Sequence, residues 1–179
     1  MTEISFDELV KQSRKPNEDV YQGTLLALDP GHTTGWAVFS GTELLNCGHI
    51  DTSLGLNEKV ILNRLRGLFR SFEPTHSIIE DYRVYKHMVK EHANSELHTP
   101  KLIGMITVIC LDEAVEYHRQ MAAVAKQFAN DKMLHNWGLY QKGLRHANDA
   151  IRHGAHYICF GARADWSKRQ GRKKGMTVG

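Results

Sequence analysis

Two acidic residues of the sequence each stand at the end of a short apolar segment. Asp29 ends LLALD and Glu80 ends SIIE, and burying such a carboxylate is costly unless something pairs with it. A third acid, Asp149, lies three residues after His146 in LRHANDAIRHGAHY, and this spacing places both side chains on one face of a helix. If these acids converge, hard divalent cations must neutralise them, and such oxygen-rich sets suit Mg²⁺ or Mn²⁺. Two such ions about 3.5–4 Å apart can activate water and stabilise the leaving oxygen of a phosphodiester.

Each of these acids also has an ordinary structural interpretation. An aspartate before Pro-Gly is most often a turn former, Glu80 fits an exposed strand end, and Asp149 fits a solvated helix position. The joint pattern favours a metal site, because two acids follow apolar segments and the third lies on a polar stripe opposite small residues. His146 would then ligate a metal, or orient or deprotonate the attacking water.

The elements that must position these residues are predicted from hydrophobic periodicity. Residues 25–28, residues 35–39 and the segment ELLNCGHI are typical of three strands in an antiparallel meander. A helix is predicted over NEKVILNRLRGLFRSF, then the strand THSIIE, a helix after Pro100, the strand VEYHRQM and a last helix over about 143–160. We therefore predict a mixed α/β domain whose sheet is covered by helices.

The last helix has two contrasting sides. The side expected to pack on the sheet is small and apolar, and it holds Ala147, Ile151, Gly154 and Ile158. The opposite side holds His146, Asp149, His153 and His156. We expect His153 and His156 to contact phosphate or solvent, because they lie one or two turns beyond Asp149.

Three segments of the chain resemble the motifs of the RuvC family of Holliday junction resolvases, within the RNase H-like nuclease superfold. They are LALDPGHTTGWAVF, IIEDYRVY and HANDAIRHG. The resemblance implies an RNase H-like fold with a mixed five-stranded sheet flanked by helices. It also implies that Asp29, Glu80, His146 and Asp149 are catalytic and hold Mg²⁺ or Mn²⁺, with two ions per site. Many family members have aspartate where His146 stands, although histidine also occurs there.

The resemblance further implies a homodimer that acts on branched DNA. Each of its two active sites would nick one of two opposed strands of a four-way junction by metal-dependent hydrolysis, giving symmetric nicks. The segment KLIGMITVICLDEA stands where the family has a helix used in dimer contacts. A compact chain of this kind suits a phage or bacterial protein, in the cytoplasm of a bacterium or of a phage-infected host.

A set of aromatic and basic residues is predicted to contact DNA. Lys126 and Lys132 match positions where family lysines meet DNA, and either Tyr82 or Tyr85 matches an aromatic residue near the junction's bases. Positive charge adds further residues to the set, which are Arg83, Lys86, Lys90, Arg145, Lys168, Arg169, Arg172, Lys173 and Lys174.

The chain is expected to have three parts. Residues 1–20 form an extension in front of the core, residues 21–162 form the nuclease domain, and residues 163–179 form a basic tail that is disordered alone. The tail carries six basic residues and one acidic residue, whereas the net charge of the whole chain is +3. We interpret the tail as an arm for DNA phosphates, and a merely solubilising tail is the alternative.

The composition limits the remaining classes of protein. Hydrophobic residues make up 41% and charged residues 24% of the chain, as in ordinary globular domains. No apolar run approaches the roughly 20 residues of a membrane span, and the polar N-terminal segment does not resemble a secretory signal, so no membrane partner is expected. Three widely spaced cysteines favour a reducing cytoplasm over a disulfide framework.

Two other functions remain open from the residues. An RNase H-like nuclease acting on flaps, branched replication intermediates or RNA–DNA hybrids would use the same metal site, because phosphodiester chemistry does not depend on the branch. An actin-like ATP-binding protein also has a strand followed by D-x-G and T-G in its first phosphate loop. The short chain and the lack of a second D-x-G phosphate loop downstream count against it.

Overall fold

The computed structural model describes residues 4–13, 22–82 and 98–161. The strands are β1 (Thr24–Asp29), β2 (Thr33–Ser40), β3 (Glu43–Asp51), β4 (His76–Asp81) and β5 (Glu116–Met121). The helices are α1 (Phe6–Ser13), α2 (Glu58–Phe72), α3 (His98–Asp112), α4 (Ala122–Phe128), α5 (Asp131–Asn136) and α6 (Arg145–Phe160). Within the described residues, no helix is long and apolar enough to cross a membrane.

The sheet has five strands in the order β3-β2-β1-β4-β5. Strands β1, β2 and β3 pair antiparallel, whereas β4 pairs parallel with both β1 and β5. The predicted meander and the mixed five-stranded sheet are therefore confirmed. Parallel pairs need crossover connections, and helices α2 and α3 make those that lead into β4 and β5.

Side chains that alternate along the central strands build a core on each face of the sheet. Leu25 and Ala27 of β1 pack on the face covered by α6, whereas Leu26 and Leu28 pack on the face covered by α2 and α3. Helix α2 was predicted from its apolar spacing, and its buried side chains are Ile61, Leu65, Leu68 and Phe69. Its first turn is capped by Asn57, whose side chain accepts a hydrogen bond from the Lys59 backbone at 2.8 Å.

Helix α1 lies in the segment predicted as an extension in front of the core, yet it contributes to that core. Ser5 and Glu8 form a reciprocal capping box, with the Glu8 carboxylate accepting from the Ser5 backbone at 3.0 Å. Phe6 and Val10 are buried in the cluster that includes α6. The difference arises because two apolar residues one turn apart give even a short helix a face to bury.

Helix α6 lies close against the sheet and is buried along most of its length. A Cβ at Gly154 would overlap the ring of Phe39, so glycine allows this close approach. The expectation of a solvated polar side is wrong for His153 and His156, which are 1% and 7% exposed. The reason is that His153 faces strands β4 and β5, where it contacts Glu80 and Gln120, while Phe128 of α4 makes an edge-on ring contact with His156.

Candidate active site

Strand register brings Asp29 and Glu80 to the same edge and the same face of the sheet. Ala27 of β1 pairs with Ile78 of β4 in parallel, and both side chains belong to the core on the α6 face. Asp29 and Glu80 each come two residues further along their strands. Because side chains alternate between the two faces of a sheet, residues two apart point to the same face. Both carboxylates therefore face α6 where the two strands end.

The turn after β1 is held by hydroxyl groups and allows α6 to come close. The hydroxyls of Thr34 and Thr52 lie 2.7 Å apart, and that of Thr52 donates to the Gly31 carbonyl at 2.6 Å. A Cβ at Gly35 would overlap the backbone carbonyl of His146. The Thr-Gly pair of the first motif thus shapes the turn and leaves room for the start of α6.

Helix α6 adds His146 and Asp149 to this edge. The Nδ1 atom of His146 lies 3.1 Å from Oδ2 of Asp29. One ligand atom from each of Asp29, His146 and Asp149 can be chosen so that all three lie within 4.8 Å of one another. Two carboxylates and an imidazole at this spacing fit a divalent cation with open positions for water and phosphate oxygens.

The acids at this edge are crowded enough to change their ionisation. Burial raises the pKa of Asp29 to about 6, and the negative charges of Glu80 and Asp149 add to the shift, while the hydrogen bond with His146 opposes it. Burial also disfavours ionised Glu80, but the hydrogen bond and charge of His153, the charge of Lys126 and a hydrogen bond from Asp29 together lower its pKa. A bound cation would relieve the repulsion, so the residues present fit a metal site.

Arg152 is a buried cation beside the site that the sequence did not single out. The residue is 8% exposed, and its Nε donates to the Ala129 carbonyl at 3.0 Å. Its Nη1 donates to Oδ1 of Asp149 at 2.5 Å, and its Nη2 contacts Asp131. Arg152 therefore fixes one oxygen of Asp149 and leaves the other for a ligand. The i, i+3 spacing of Asp149 and Arg152 was the available signal.

His153 is the second residue whose role in the site was not predicted from the sequence. Its Nε2 lies 2.8 Å from Oε2 of Glu80, and its Nδ1 lies 2.6 Å from Oε1 of Gln120. His153 thus supports Glu80 instead of contacting phosphate or solvent. Its place seven residues after His146 puts it on the same helical stripe, which is the signal that pointed to it.

Solved structures share this architecture, although no family model and no curated protein matches the sequence. Thermus thermophilus RuvC in complex with a Holliday junction substrate gives a TM-score of 0.60 at 18% identity, over 84% of this chain and 97% of that one. Another Thermus thermophilus RuvC structure gives 0.57 at 17% identity, over 83% and 96%. The yeast mitochondrial Holliday junction resolvase Ydc2 gives 0.53 at 11% identity, over 94% and 90%. The chain has the RuvC fold.

The predicted RNase H-like architecture is thereby confirmed. The RuvC fold brings the four predicted site residues from β1, β4 and α6 to one edge of the sheet, next to a surface that carries several of the predicted DNA contacts. Lys126 and Arg145 are exposed and line a cleft of about 350 Å³ together with Asp149 and Arg152. Lys132 is exposed too, and it lines an adjoining cleft that also includes Lys126 and Asp149.

The remaining predicted DNA contacts fall into two groups. Tyr82 is half-buried, packs against the core on the α2 and α3 face, and lines a small cavity that Glu80 also lines. The others lie outside the described residues, and they are Arg83, Tyr85, Lys86, Lys90, Lys168, Arg169, Arg172, Lys173 and Lys174. Tyr82, Lys126, Lys132 and Arg145 are therefore the predicted contacts with a described position.

Proposed function

We propose that this chain is a divalent-metal-dependent endodeoxyribonuclease that resolves four-way DNA junctions with symmetric nicks. The observation that carries the proposal is the convergence of Asp29, Glu80, His146 and Asp149 at one edge of a RuvC-fold sheet. The fold alone does not determine a function, and it is the chemistry of these side chains that supports a nuclease.

The site residues divide the catalytic work between them. Mg²⁺ or Mn²⁺, two ions per site, would supply an activated water and charge compensation at the leaving oxygen. Asp29, Asp149 and Glu80 would hold the cations, and His146, beside Asp29, would be a ligand or would orient the attacking water. Arg152 restrains Asp149 so that its free oxygen points in a fixed direction.

The cations around Asp149 support DNA as the substrate. Lys126, Lys132 and Arg145 are exposed beside the acidic edge, where phosphates on either side of the cut would lie. Tyr82 lies next to Glu80 and would contact a base near the cut. Thermus thermophilus RuvC, whose fold this chain shares, was solved with a Holliday junction substrate, and this favours a junction over other branched DNA.

An exposed apolar stripe on α3 supports the homodimer that paired cuts require. Val108 and Leu111 are 50% and 67% exposed and lie on one side of the helix. Gly104 precedes them by one turn and has open space where its Cβ would be. A second copy of the chain packing on this stripe would bring two active sites onto one junction.

A cleavage panel tests the proposal. The substrates are a four-way DNA junction, a flap, a plain duplex and an RNA–DNA hybrid, each with Mg²⁺ and with Mn²⁺. We expect paired symmetric nicks in the junction, lost by more than about 100-fold in Asp149→Asn because a direct ligand should matter at least as much as its outer-shell partners.

The matched control is Asp112→Asn, which changes an exposed acid on α3 paired with Arg66 and should cut as the wild type does. Preferred cutting of the flap or hybrid would keep the metal site but reassign the substrate to the alternative nuclease. Absence of cutting on every substrate would contradict the proposal altogether.

A further inference from the structure

Three side chains that the proposed chemistry does not use form a hydrogen-bonded network that begins at Glu80. Nε2 of His153 lies 2.8 Å from Oε2 of Glu80, and Nδ1 of His153 lies 2.6 Å from Oε1 of Gln120. Nε2 of Gln120 lies 2.8 Å from Nδ1 of His156. The network thus connects the Glu80 carboxylate to the buried His156 through three hydrogen bonds.

Two strands and one helix build this network. Gln120 is paired with Glu80 in the parallel register of β5 and β4, so both side chains point to the same face of the sheet. His153 and His156 are three residues apart on α6, which covers that face. The network therefore forms where strands β4 and β5 contact helix α6, and none of its residues lies in a loop.

Burial makes the three side chains costly unless each hydrogen bond is made. His153 is 1% exposed, Gln120 is 6% and His156 is 7%. His156 also has ring contacts with Phe128 and Phe160. An apolar side chain in place of Gln120 would avoid burying an amide, so packing alone does not explain this choice.

The donor and acceptor atoms of the network can be assigned starting from His156, its most distant member from Glu80. Burial and the charge of His153 lower the pKa of His156 to about 4, so His156 is neutral near pH 7 and its Nδ1 accepts from the Gln120 amide. The Oε1 atom of Gln120 then faces His153 and accepts from its Nδ1–H. With one ring nitrogen held in this way, the other stays directed at the Glu80 carboxylate.

We propose that Gln120 and His156 are positioning residues that act through His153 to hold the Glu80 carboxylate in the orientation needed for metal binding. This inference rests on the proposed metal-dependent function. Partners of ligands that do not themselves touch the metal are known to change metal affinity by about 10–100-fold.

Manganese titration calorimetry on the purified full chain, without DNA, tests the inference. Gln120→Met removes both hydrogen bonds at nearly constant volume, whereas the matched Gln120→Glu keeps an oxygen acceptor for His153. We expect Gln120→Met to bind Mn²⁺ about 10–100-fold more weakly than the wild type and Gln120→Glu to stay within about threefold. The histidine-ring ¹⁵N spectrum of the metal-free protein should change at His153 in Gln120→Met and be retained in Gln120→Glu.

A second pair of variants keeps the test decisive if Gln120→Met does not fold. His156→Leu removes the acceptor for the Gln120 amide, and His156→Asn places an oxygen where Nδ1 stood. We expect His156→Leu to bind Mn²⁺ more weakly than His156→Asn. Equal affinity of Gln120→Met and wild type would overturn the inference, and so would equal losses in Gln120→Met and Gln120→Glu, because these would indicate a packing effect.

The titration also separates this inference from the function on which it rests. Wild-type protein that takes up no Mn²⁺ would contradict the proposed function itself. Wild-type uptake that is lost in Asp149→Asn but unchanged in Gln120→Met would leave the metal site standing and overturn only the positioning role.

Discussion

At the scale of single residues, Asp29 is where folding and the proposed chemistry conflict. Its side chain is 14% exposed and lies beside Glu80 and Asp149, and burial with these charges raises its pKa to about 6. An ionised carboxylate in this place destabilises the protein when no cation is bound. The same crowding favours cation uptake, because the bound charge removes the repulsion.

We predict that this conflict appears as a pH-dependent stability of the metal-free protein. The folded chain keeps the Asp29 proton up to about pH 6, whereas the unfolded chain releases it near the ordinary value of 3.8. The folded state therefore binds more protons in this window, and the contribution of Asp29 to the free energy of unfolding falls as pH rises through it. Asp29→Asn should remove this decline, on the order of 3 kcal/mol, in urea unfolding between pH 4 and about pH 7.

The lowered pKa of Glu80 affects the stability in the opposite direction and at lower pH, so the decline is measured above pH 4, where Asp29 dominates. Glu113→Gln, an exposed change in the turn after α3, is the control and should follow the wild-type curve. Adding Mn²⁺ at pH 7 should stabilise the wild type and not Asp29→Asn. A decline of the same size in Asp29→Asn would show that another group is responsible.

At the scale of elements, the site depends on how closely α6 approaches the sheet. Gly35 on β2 faces the His146 backbone, and Gly154 on α6 faces Phe39. Both glycines stand where a methyl group would push helix and sheet apart. The separation of His146 and Asp149 from Asp29 is therefore set by two residues that make no chemical contribution of their own.

We predict that Gly35→Ala lowers both stability and cleavage. The added methyl group overlaps the His146 carbonyl, and such overpacking costs about 1–3 kcal/mol. A displacement of His146 by about 1 Å would reduce cleavage by up to about 100-fold. Urea unfolding and single-turnover junction cleavage measure the two effects.

Gly67→Ala is the matched control, because Gly67 lies inside α2 with open space where its Cβ would be. It should stabilise the protein by up to about 1 kcal/mol through helix propensity and leave cleavage unchanged. Wild-type cleavage in Gly35→Ala would mean that the start of α6 can shift without cost to the site.

At the scale of the whole molecule, paired cutting and DNA affinity are proposed to depend on residues other than the site acids. The stripe of Val108 and Leu111 on α3 lies on the face of the sheet opposite α6. The basic residues of 163–179 lie outside the described part of the chain but dominate its charge. The α3 stripe is proposed to pair two copies of the chain, and the basic residues are proposed to add affinity for DNA phosphates.

We predict that Leu111→Glu converts the homodimer to a monomer that nicks junctions singly. A charge in the centre of an apolar contact is not compensated when a second copy packs on it. Sedimentation velocity would show the change of mass, and the product pattern on a junction would show unpaired nicks. Leu45→Glu, at a similarly exposed apolar position on edge strand β3, should remain dimeric. A wild-type protein that sediments as a monomer would contradict this expectation.

We also predict that deletion of residues 167–179 weakens junction binding and flattens its salt dependence. The deletion removes five basic residues, so fewer counterions are released from DNA when the protein binds. Dissociation constants measured from 50 to 200 mM salt would give the two slopes. An unchanged slope would favour the solubilising interpretation of the tail.

Local patterns in the sequence were sufficient to predict the strands and to point to four residues that the fold brings close together. Asp29 and Glu80 each end a short apolar run, and His146 and Asp149 share one helix, so each residue is described by its neighbours along the chain. The fold confirms the mixed five-stranded sheet that these segments predicted. Such features are readable because alternation and helical repeat depend only on neighbours along the chain.

Tertiary packing decided what lies behind the acids. His153 and His156 were expected to contact phosphate or solvent, and Arg152 received no role, yet all three are buried. The polar stripe of α6 looks the same in the sequence whether solvent or other elements cover it, because burial depends on elements that are remote along the chain. Phe6 and Val10 joined the core for the same reason. The residue types that could bind metal were thus evident from the sequence, whereas the groups that hold them in place were determined by the tertiary structure.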